Sequence, residues 1–486
     1  MKEMNKKIGI GVLWNLAGLL LTRGASTVFM LFLARFLAPE AFGLVAMAMV
    51  VFELANVFVN SGLGTALIRS KDVSNADLNT VFFTNLGLSL AAYVLIYISA
   101  PYVAVFYNQP ELALLIQVMG LVIFFNAAKI VQSAVLSRKM NFKTQMNANI
   151  IATVVSGVLA VSAAFQGLGV WSLVVQMLSQ ASISAAILWL AGNWTPSWQF
   201  STESFSRLFA FGRNLLAEGL VDVAFQNSYV LVIGRFFSAE LTGLYFFAKK
   251  ISTLISQQLT GAIQQATFPA LATLQDDNVT LRYKYRQIMQ LMMFLIAPIM
   301  MLLAALAPIL IRLAFDEKWQ GAVAYLQLLC IVGMLFPLHA LNINLLNVKG
   351  RTDIILKVGL LKKAVNITLL FMAIPYGVLG IVMSQVAASF LALIPNTYFS
   401  AKLIDYSLLE QIKDAIKPIV AAILGGASAW WLGQLLSTHQ IVTLALSGLL
   451  GVSVYLASSA VIRAEGLVML WGKVSKQQQH ARKLRK

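Results

Sequence analysis

Long apolar runs, each closed by a short polar cluster, recur along the whole chain. An α-helix rises 1.5 Å per residue, so about 20 apolar residues cross the roughly 30 Å of hydrocarbon in a bilayer. The pattern predicts fourteen membrane-spanning helices, six in a first half, six in a second half and one final pair. Their approximate bounds are 12–36, 41–67, 80–106, 112–136, 147–166 and 169–192, then 213–237, 242–268, 287–313, 322–347, 354–374 and 378–401, then 418–436 and 441–462.

Two stretches that lie 200 residues apart resemble each other. Residues 33–44 read LARFLAPEAFGL and residues 233–244 read IGRFFSAELTGL, so Arg, Phe, Glu, Gly and Leu recur in register. Six predicted helices separate the two copies, and because that number is even, both copies have the same orientation in the membrane. The repeat therefore predicts two six-helix lobes related by a pseudo-twofold axis along the membrane normal.

The helix pattern and the repeat together predict an all-α polytopic membrane protein in five parts. These are a first lobe at 1–192, a linker at 193–212, a second lobe at 213–402, an additional helix pair at 403–463 and a basic tail at 464–486. The linker is rich in tryptophan and phenylalanine, which suits a segment lying at the cytoplasmic membrane interface. The additional pair lies outside the repeat, and no function is predicted for it.

Composition excludes a water-soluble globule. Of the 486 residues 59% are hydrophobic and 11% are charged, and the mean hydropathy is +0.79, which leaves too little polar surface to cover a soluble core.

The net charge of +17 would ordinarily suggest nucleic acid as a binding partner. However, 28 of the 36 Lys and Arg fall in predicted inner segments and four fall at outer ends. The positive-inside rule assigns this charge to the membrane's inner face, predicts both termini in the cytoplasm and excludes nucleic acid.

Four cations fall inside predicted helices, namely Arg23, Lys129, Lys249 and Lys250. A charge at the centre of a spanning helix costs about 2.5–3.5 kcal/mol on insertion scales, so such residues mark functional sites by default. Arg23 is the clearest case, because about eleven residues, or some 16 Å, separate it from either end of its helix. We expect it to face protein or a wet cavity.

Polar side chains recur at helical spacing in both halves. The second helix carries Glu53, Asn56 and Asn60 on one face. The second-half candidates are Glu218 and Asp222 on the seventh helix and Lys249, Lys250, Gln257 and Gln264 on the eighth. Because the stripes on the second and eighth helices coincide in the repeat, we expect both lobes to turn a polar face towards one cavity.

A purely structural interpretation of the same charges stays open. In that interpretation, Arg23 with Glu53, and Lys249 or Lys250 with Asp222 or Glu218, form interhelical ion pairs that only hold the bundle together. The three lysines in these helices also lie near enough to helix ends for partial snorkelling to the interface.

Two missing features restrict the function classes. The sequence contains no GxxxxGK[ST] loop to cradle a nucleotide, which disfavours a built-in ATPase and favours secondary transport. The predicted outer turns are only a handful of residues long, which leaves no room for a catalytic domain outside the membrane. The sequence therefore predicts a transporter rather than an enzyme.

Several ordered motifs resemble one family. They are ARFLAPEAFGL at 34–44, ALIR at 66–69, FPAL at 268–271 with QDD at 275–277, EKW at 317–319 and LQLL at 326–329. These motifs resemble the polysaccharide transporter branch of the MOP flippase superfamily, and most closely the colanic-acid-type exopolysaccharide exporters. The similarity runs from about residue 8 to residue 400, so the final helix pair lies outside it.

The resemblance implies a flippase of the bacterial inner membrane. It would move undecaprenyl-pyrophosphate-linked oligosaccharide units from the cytoplasmic to the periplasmic leaflet by alternating access, for exopolysaccharide or O-antigen synthesis. The implied partners are this lipid-linked substrate, membrane lipids and a polysaccharide polymerase with its export machinery. No metal or organic cofactor is implied, and transport would be driven by a coupled proton or Na⁺.

The resemblance also gives the candidate residues their roles. Cations suit a pyrophosphate, amides suit sugar hydroxyls and carboxylates in the membrane suit ion coupling. The expected pyrophosphate ligands are Arg23, Lys129, Lys249 and Lys250, the expected sugar ligands are Asn56, Asn60, Gln257 and Gln264, and the expected coupling residues are Glu53, Glu218 and Asp222.

Two other functions remain open at this point. A multidrug exporter of the same superfamily would hold cationic drugs with carboxylates, whereas the cations here at least balance the acids. A membrane polysaccharide polymerase or ligase would need a substantial outer loop with catalytic groups, and the predicted outer turns are too short for one.

Overall fold

The computed structural model describes residue 18 and residues 21–60, 62–192, 194–436 and 439–469, and leaves the side chains of 211–215 outside that description. All regular structure in these ranges is helical. The chain divides into two compact units, Met1–Phe246 and Phe247–Lys486. The predicted start of the first helix at 12–17 and nearly all of the predicted basic tail lie outside the described residues, as does Asn193 of the linker.

The first unit contains ten helices in its described part and the beginning of another. They are α1 (21–36), α2 (Pro39–Asn60), α3 (Leu63–Arg69), α4 (Asn75–Tyr107), α5 (Glu111–Gly120), α6 (Val122–Arg138), α7 (Phe142–Phe165), α8 (Trp171–Ala191), α9 (Thr202–Gln226), α10 (Ser228–Phe236) and the start of α11 (Ala239–Ala272). The second, fourth and seventh predicted spans are each broken into two helices. Gly62, with a φ of 69°, forms the first of these breaks, since this left-handed backbone conformation strains other residues.

The second unit contains the rest of α11 and six further long helices in its described part. They are α12 (Asn278–Phe315), α13 (Ala322–Val348), α14 (Thr352–Ala373), α15 (Gly377–Ile404), α16 (Leu408–Leu435) and α17 (Gln440–Val461). The last two helices, α16 and α17, form the additional pair that the sequence predicts.

Every predicted span contains a helix, but fewer stretches are long and apolar enough to cross a membrane. Ten qualify within the described ranges, and one of them, Thr352–Ile404, comprises both α14 and α15. An eleventh is added if the bent pair Leu216–Gln226 and Ser228–Phe236 counts as one span. Helix α11 is not among the ten, since two lysines and four glutamines lower its hydropathy. The chain is a multi-pass membrane protein, and the count of fourteen spans stays a prediction, as do the predicted domain bounds.

The predicted linker is docked against the start of α4. Asp77, which is buried, closes a capping box with Ser74 and accepts from Arg207 Nη2 at 2.5 Å. Asn79 Nδ2 donates to Ser197 Oγ at 2.7 Å and its Oδ1 accepts from the Ser197 backbone N–H at 2.9 Å. The polar start of α4 therefore fixes the linker and the beginning of α9 in place.

Aromatic residues of the linker divide between a core and an exposed surface. Trp194 packs into a buried cluster with Leu67 of α3 and Leu78 of α4. Trp198 instead stacks on Phe83 with 5.1 Å between ring centroids and is 95% exposed. An exposed tryptophan suits the predicted interfacial position of the linker.

The two copies of the repeat meet in a reciprocal contact at the starts of α2 and α11. A Cβ on Gly43 would lie 1.8 Å from the carbonyl oxygen of Ala239, and a Cβ on Gly243 would lie 1.8 Å from the carbonyl oxygen of Pro39. These four residues are two pairs of equivalents at the repeat offset of 200. The glycines recur in the repeat because the two backbones touch at this crossing.

Within the second unit, a buried carboxylate binds the additional helix pair to α12. Asp414 of α16 is 3% exposed and accepts two hydrogen bonds from Arg286 of α12, at 2.5 and 2.7 Å. Gln290 Nε2 donates to it at 2.9 Å and the Tyr406 hydroxyl at 2.7 Å. Burial, followed by the hydrogen bond to Asp414, raises the pKa of Tyr406 well above its usual range. We call this cluster the Asp414 clasp, and no sequence motif indicates it.

Candidate functional site

A polar cavity of about 420 Å³ lies in the first unit among α2, α3 and α6. Its polar lining residues are Asn56, Asn60, Thr65, Asn126, Lys129, Ser133 and Ser137. The four residues from α6 are spaced three or four positions apart, which places them on one face of that helix. Three predicted site residues, Asn56, Asn60 and Lys129, are thus brought together.

Among the described residues that line this cavity, Lys129 is the only cation. Its side chain is half-buried, and no described residue forms a hydrogen bond or ion pair with it. It lies nine residues before Arg138, about 13 Å along α6, and within the fourth predicted span. An ammonium group in that position favours an anionic ligand, because a bound anion would offset its desolvation.

The amides and hydroxyls around Lys129 are only partly engaged. Asn126 Nδ2 donates to Asn56 Oδ1 at 3.5 Å, a long and therefore weak hydrogen bond. Ser137 Oγ accepts from Gln145 Nε2 of α7 at 2.9 Å. The cavity therefore offers one cation beside donors and acceptors that can exchange their present partners for those of a polar ligand. Sequence reasoning missed Asn126, although its spacing from Lys129 on α6 was available to find it.

The other first-unit candidates lie elsewhere. Arg23 on α1 is exposed, and no ion pair joins it to Glu53 among the described residues. Glu53 instead accepts from Asn227 Nδ2 at 2.6 Å. On α9, Glu218 is exposed and Asp222 is half-buried. The structural alternative for Arg23 and Glu53 therefore gains no support, whereas Glu53 has a partner that the sequence did not indicate.

Four candidates belong to the part of α11 that lies in the second unit. Lys250 and Gln257 are exposed and Lys249 is half-buried. Gln264 Nε2 donates to the Ala340 carbonyl of α13 at 2.8 Å, so its amide nitrogen joins two helices. Their expected roles in binding stay predictions.

A second cavity of about 420 Å³ lies within the second unit and has an apolar lining. Helices α12, α13, α15 and α16 form it with residues that include Met301, Met334, Leu338, Phe390, Leu393 and Ile416. Gln411 is one of its two polar side chains and is bound to Ser400 Oγ at 2.8 Å. The two units thus hold cavities of opposite character, one polar with a cation and one apolar.

Membrane-spanning helices around a cationic cavity of amides and hydroxyls define a membrane protein suited to carry a polar, anionic solute. Residues 32–324 match the family described as polysaccharide biosynthesis protein, and the chain belongs to that family. The resemblance to the polysaccharide transporter branch of the MOP superfamily is thereby confirmed.

Curated relatives align with long parts of the chain. It is 29% identical over 305 residues to the teichuronic acid biosynthesis protein TuaB of Bacillus subtilis. This match covers 62% of this chain and 62% of TuaB, so the chain spans less than two thirds of that relative. It is 26% identical over 386 residues to the lipopolysaccharide biosynthesis protein WzxC of Escherichia coli, which covers 78% of this chain and 76% of WzxC.

Solved structures share the fold. The lipid II flippase MurJ in its inward closed conformation superposes with a TM-score of 0.75 at 14% identity, over 93% of this chain and 98% of MurJ. An inward-facing multidrug resistance MATE transporter of the MOP superfamily superposes with a TM-score of 0.61 at 16% identity, over 78% of this chain and 94% of that one. At such identities the likeness concerns the fold, which flippases and drug exporters have in common.

Proposed function

We propose that this protein moves an undecaprenyl-pyrophosphate-linked oligosaccharide from the cytoplasmic to the periplasmic leaflet by alternating access. The observation that carries the proposal is the half-buried Lys129, which has no described partner, in a cavity of amides and hydroxyls. A pyrophosphate that enters the membrane needs a cation to replace lost hydration, and sugar hydroxyls need donors and acceptors. Membership of a polysaccharide biosynthesis family supports this choice of solute.

The orientation is part of the proposal. The excess of Lys and Arg in the predicted inner segments supports a bacterial inner-membrane protein of fourteen spans with both termini in the cytoplasm. The cavity lining runs from Asn56 and Asn126 to Ile68 and Ser137, next to the basic ends of α3 and α6 at Arg69 and Arg138. In this orientation a substrate would enter the cavity from the cytoplasmic side.

The remaining expected roles belong to the same proposal. Arg23, Lys249 and Lys250 would add positive charge for the pyrophosphate, Gln257 and Gln264 would meet sugar, and two six-helix lobes would alternate about a pseudo-twofold axis. A proton or Na⁺ would drive the cycle through Glu53, Glu218 or Asp222. The protein would act as a secondary transporter beside a polymerase and export machinery. The apolar cavity of the second unit would suit part of the polyprenyl chain.

Lys129→Gln is the direct test of this function. In a strain that lacks the chromosomal gene, we expect export of the polymer to fall by about tenfold to a hundredfold, because a hydrogen bond to a charged group contributes about 1.5–3 kcal/mol. Lipid-linked repeat units should accumulate in the inner leaflet. Lys129→Arg should retain most export, and Lys139→Gln, which changes an exposed lysine on the same segment, is the matched control. Normal export by Lys129→Gln at normal protein level would refute the role of the cavity.

The drug-exporter alternative predicts a different phenotype. A cavity whose described lining carries one charged group, a lysine, repels cationic drugs. We therefore expect the deletion strain to keep its susceptibility to a panel of cationic dyes and antibiotics while losing polymer export. Increased susceptibility that the intact gene reverses, with export unchanged, would favour the multidrug alternative.

A further inference from the structure

The turn that ends α6 in the first unit recurs at the end of α13 in the second. Helix α6 ends at Arg138 and α13 ends at Val348, 210 positions later, and α7 and α14 begin at the same offset. Each turn contains one residue with a left-handed backbone, Met140 with a φ of 54° and Gly350 with a φ of 66°, again 210 positions apart. Each position on α6 therefore has an equivalent on α13.

A contact between neighbouring helices supports this register. In the first unit, a Cβ on Gly64 of α3 would lie 2.9 Å from Cγ2 of Ile130 on α6. Gln264 of α11 follows Gly64 at the repeat offset of 200, and Ala340 of α13 follows Ile130 at the offset of 210. In the second unit, Gln264 Nε2 donates to the Ala340 carbonyl at 2.8 Å. The helix faces that border the polar cavity of the first unit therefore have counterparts that also meet within the second unit.

The counterpart of the polar cavity is polar as well, but its groups differ. His339 stands at the position of Lys129, Thr260 stands at that of Asn60, and Asn344 stands where the first unit has an alanine. Asn344 is 6% exposed and Thr260 is fully buried, and neither side chain has a hydrogen-bond partner among the described residues. Buried polar groups without partners cost free energy, so these two favour a ligand that donates and accepts hydrogen bonds.

His339 is a polar group without a formal charge in this arrangement. Asn396 Nδ2 donates to its Nδ1 at 2.9 Å, which leaves the ring proton on Nε2, and Nε2 donates to Ser389 Oγ at 3.1 Å. Lys362 of α14 acts on the ring as a nearby positive charge and disfavours a further charge on His339. The cation of the first-unit cavity is thus replaced by a neutral imidazole beside an amide and a hydroxyl.

We propose that the second unit carries a sugar-binding site, formed by His339 and Asn344 of α13 with Thr260 of α11, for the uncharged, hydroxyl-rich part of the lipid-linked oligosaccharide. This inference rests on the proposed function, in which Lys129 of the first unit binds the pyrophosphate. A sugar hydroxyl both donates and accepts, so neighbouring hydroxyls can satisfy the amide of Asn344 and the hydroxyl of Thr260 together. Neutral groups bind hydroxyls without having to compensate a charge, which suits this part of the substrate.

Two probes separate the sugar-binding site from the cavity around Lys129. One is a neutral oligosaccharide released from the exported polysaccharide by partial hydrolysis, which carries no pyrophosphate. The other is undecaprenyl pyrophosphate, which carries no sugar. Each probe is titrated against the purified full chain in detergent, and binding is followed by microscale thermophoresis. We expect the parent chain to bind both probes.

Thr260→Val and Asn344→Leu remove the polar groups and keep similar side-chain volumes. Each should weaken oligosaccharide binding by about twofold to tenfold, the effect of one neutral hydrogen bond, and leave undecaprenyl pyrophosphate binding unchanged. Neither change should lower the midpoint of thermal unfolding of the free protein, because neither polar group has a described partner to lose. Lys129→Gln should show the reverse pattern of binding. Gln434→Ala, which removes an exposed amide on α16, is the matched control.

The two proposals fail in different ways. Unchanged oligosaccharide affinity in both Thr260→Val and Asn344→Leu, or a parent chain that binds no oligosaccharide, overturns the sugar-binding site. If these variants lose oligosaccharide affinity while Lys129→Gln exports polymer normally, the proposed function fails and the sugar-binding site stands.

Discussion

Gly43→Ala is expected to abolish polymer export and to lower the midpoint of thermal unfolding by more than any other glycine-to-alanine change in the described part of the first unit except that of its repeat equivalent, Gly243. The new Cβ would lie 1.8 Å from the Ala239 carbonyl oxygen, whereas real Cβ contacts stay beyond 3.0 Å. The obstacle is backbone, so no side-chain rotation relieves it, and α2 and α11 would have to separate by roughly 1 Å. Overpacking commonly costs about 1–3 kcal/mol, and a backbone obstacle places this change at or above the upper limit.

The repeat supplies an internal check on this result. Gly243→Ala creates the same obstacle against the Pro39 carbonyl, so it should cost as much as Gly43→Ala. The double variant should cost less than the sum of the two, because one separation of the helices relieves both clashes. Gly87→Ala is the matched control, since nothing lies within 4 Å of a Cβ there. Equal stability of the Gly43 and Gly87 variants, measured by thermal unfolding in detergent, would show that the crossing tolerates separation.

The repeat also shows how far sequence reasoning reaches. Helical spans can be predicted from apolar runs, because a run that crosses the bilayer must satisfy its backbone hydrogen bonds internally, as a helix does. The equivalence of Gly43 and Gly243 was visible in the sequence, but their contact was not. A repeat shows which positions are equivalent and does not show whether those positions touch. The break at Gly62 needs a left-handed residue and so had a local signal. The bend between α9 and α10 also had a local signal, since the side chains of Asn227 and Ser228 donate to carbonyls of the preceding turn.

The sequence predicted the candidate site only where polar residues recur at helical spacing on one face of a single helix. Asn56 and Asn60 share a face of α2, and Lys129 with Asn126 shares a face of α6, so periodicity alone could assemble most of the polar cavity. The bond between Glu53 and Asn227 joins residues 174 positions apart, and the Asp414 clasp joins residues up to 128 positions apart. Pairings over such separations depend on tertiary packing, for which a single sequence carries no periodic signal.

Asp414→Ala should cost about 2–5 kcal/mol in the free energy of unfolding. The Tyr406 hydroxyl and the Gln290 amide would lose their buried acceptor, at about 1–3 kcal/mol each. The loss of the ion pair with Arg286 adds less to this cost, because the Arg286 side chain is 45% exposed and can be rehydrated. The cost should appear as detachment of α16 and α17, seen as earlier proteolysis of that pair and as a lower midpoint in an SDS titration.

Asp405→Ala is the matched control, since it also removes a carboxylate bound to an arginine of α12. Its side chain is 98% exposed and lies 3.3 Å from Arg282, so the lost surface pair should cost about 1 kcal/mol or less. Asp414→Asn should fall between the two, because its carbonyl oxygen keeps one acceptor. If Asp414→Ala and Asp405→Ala unfold at the same SDS concentration, burial of the Asp414 clasp does not hold the additional pair. In that case, the close approach of α16 to α12, where a Cβ on Gly426 would lie 3.2 Å from the Met301 carbonyl oxygen, becomes the stronger constraint.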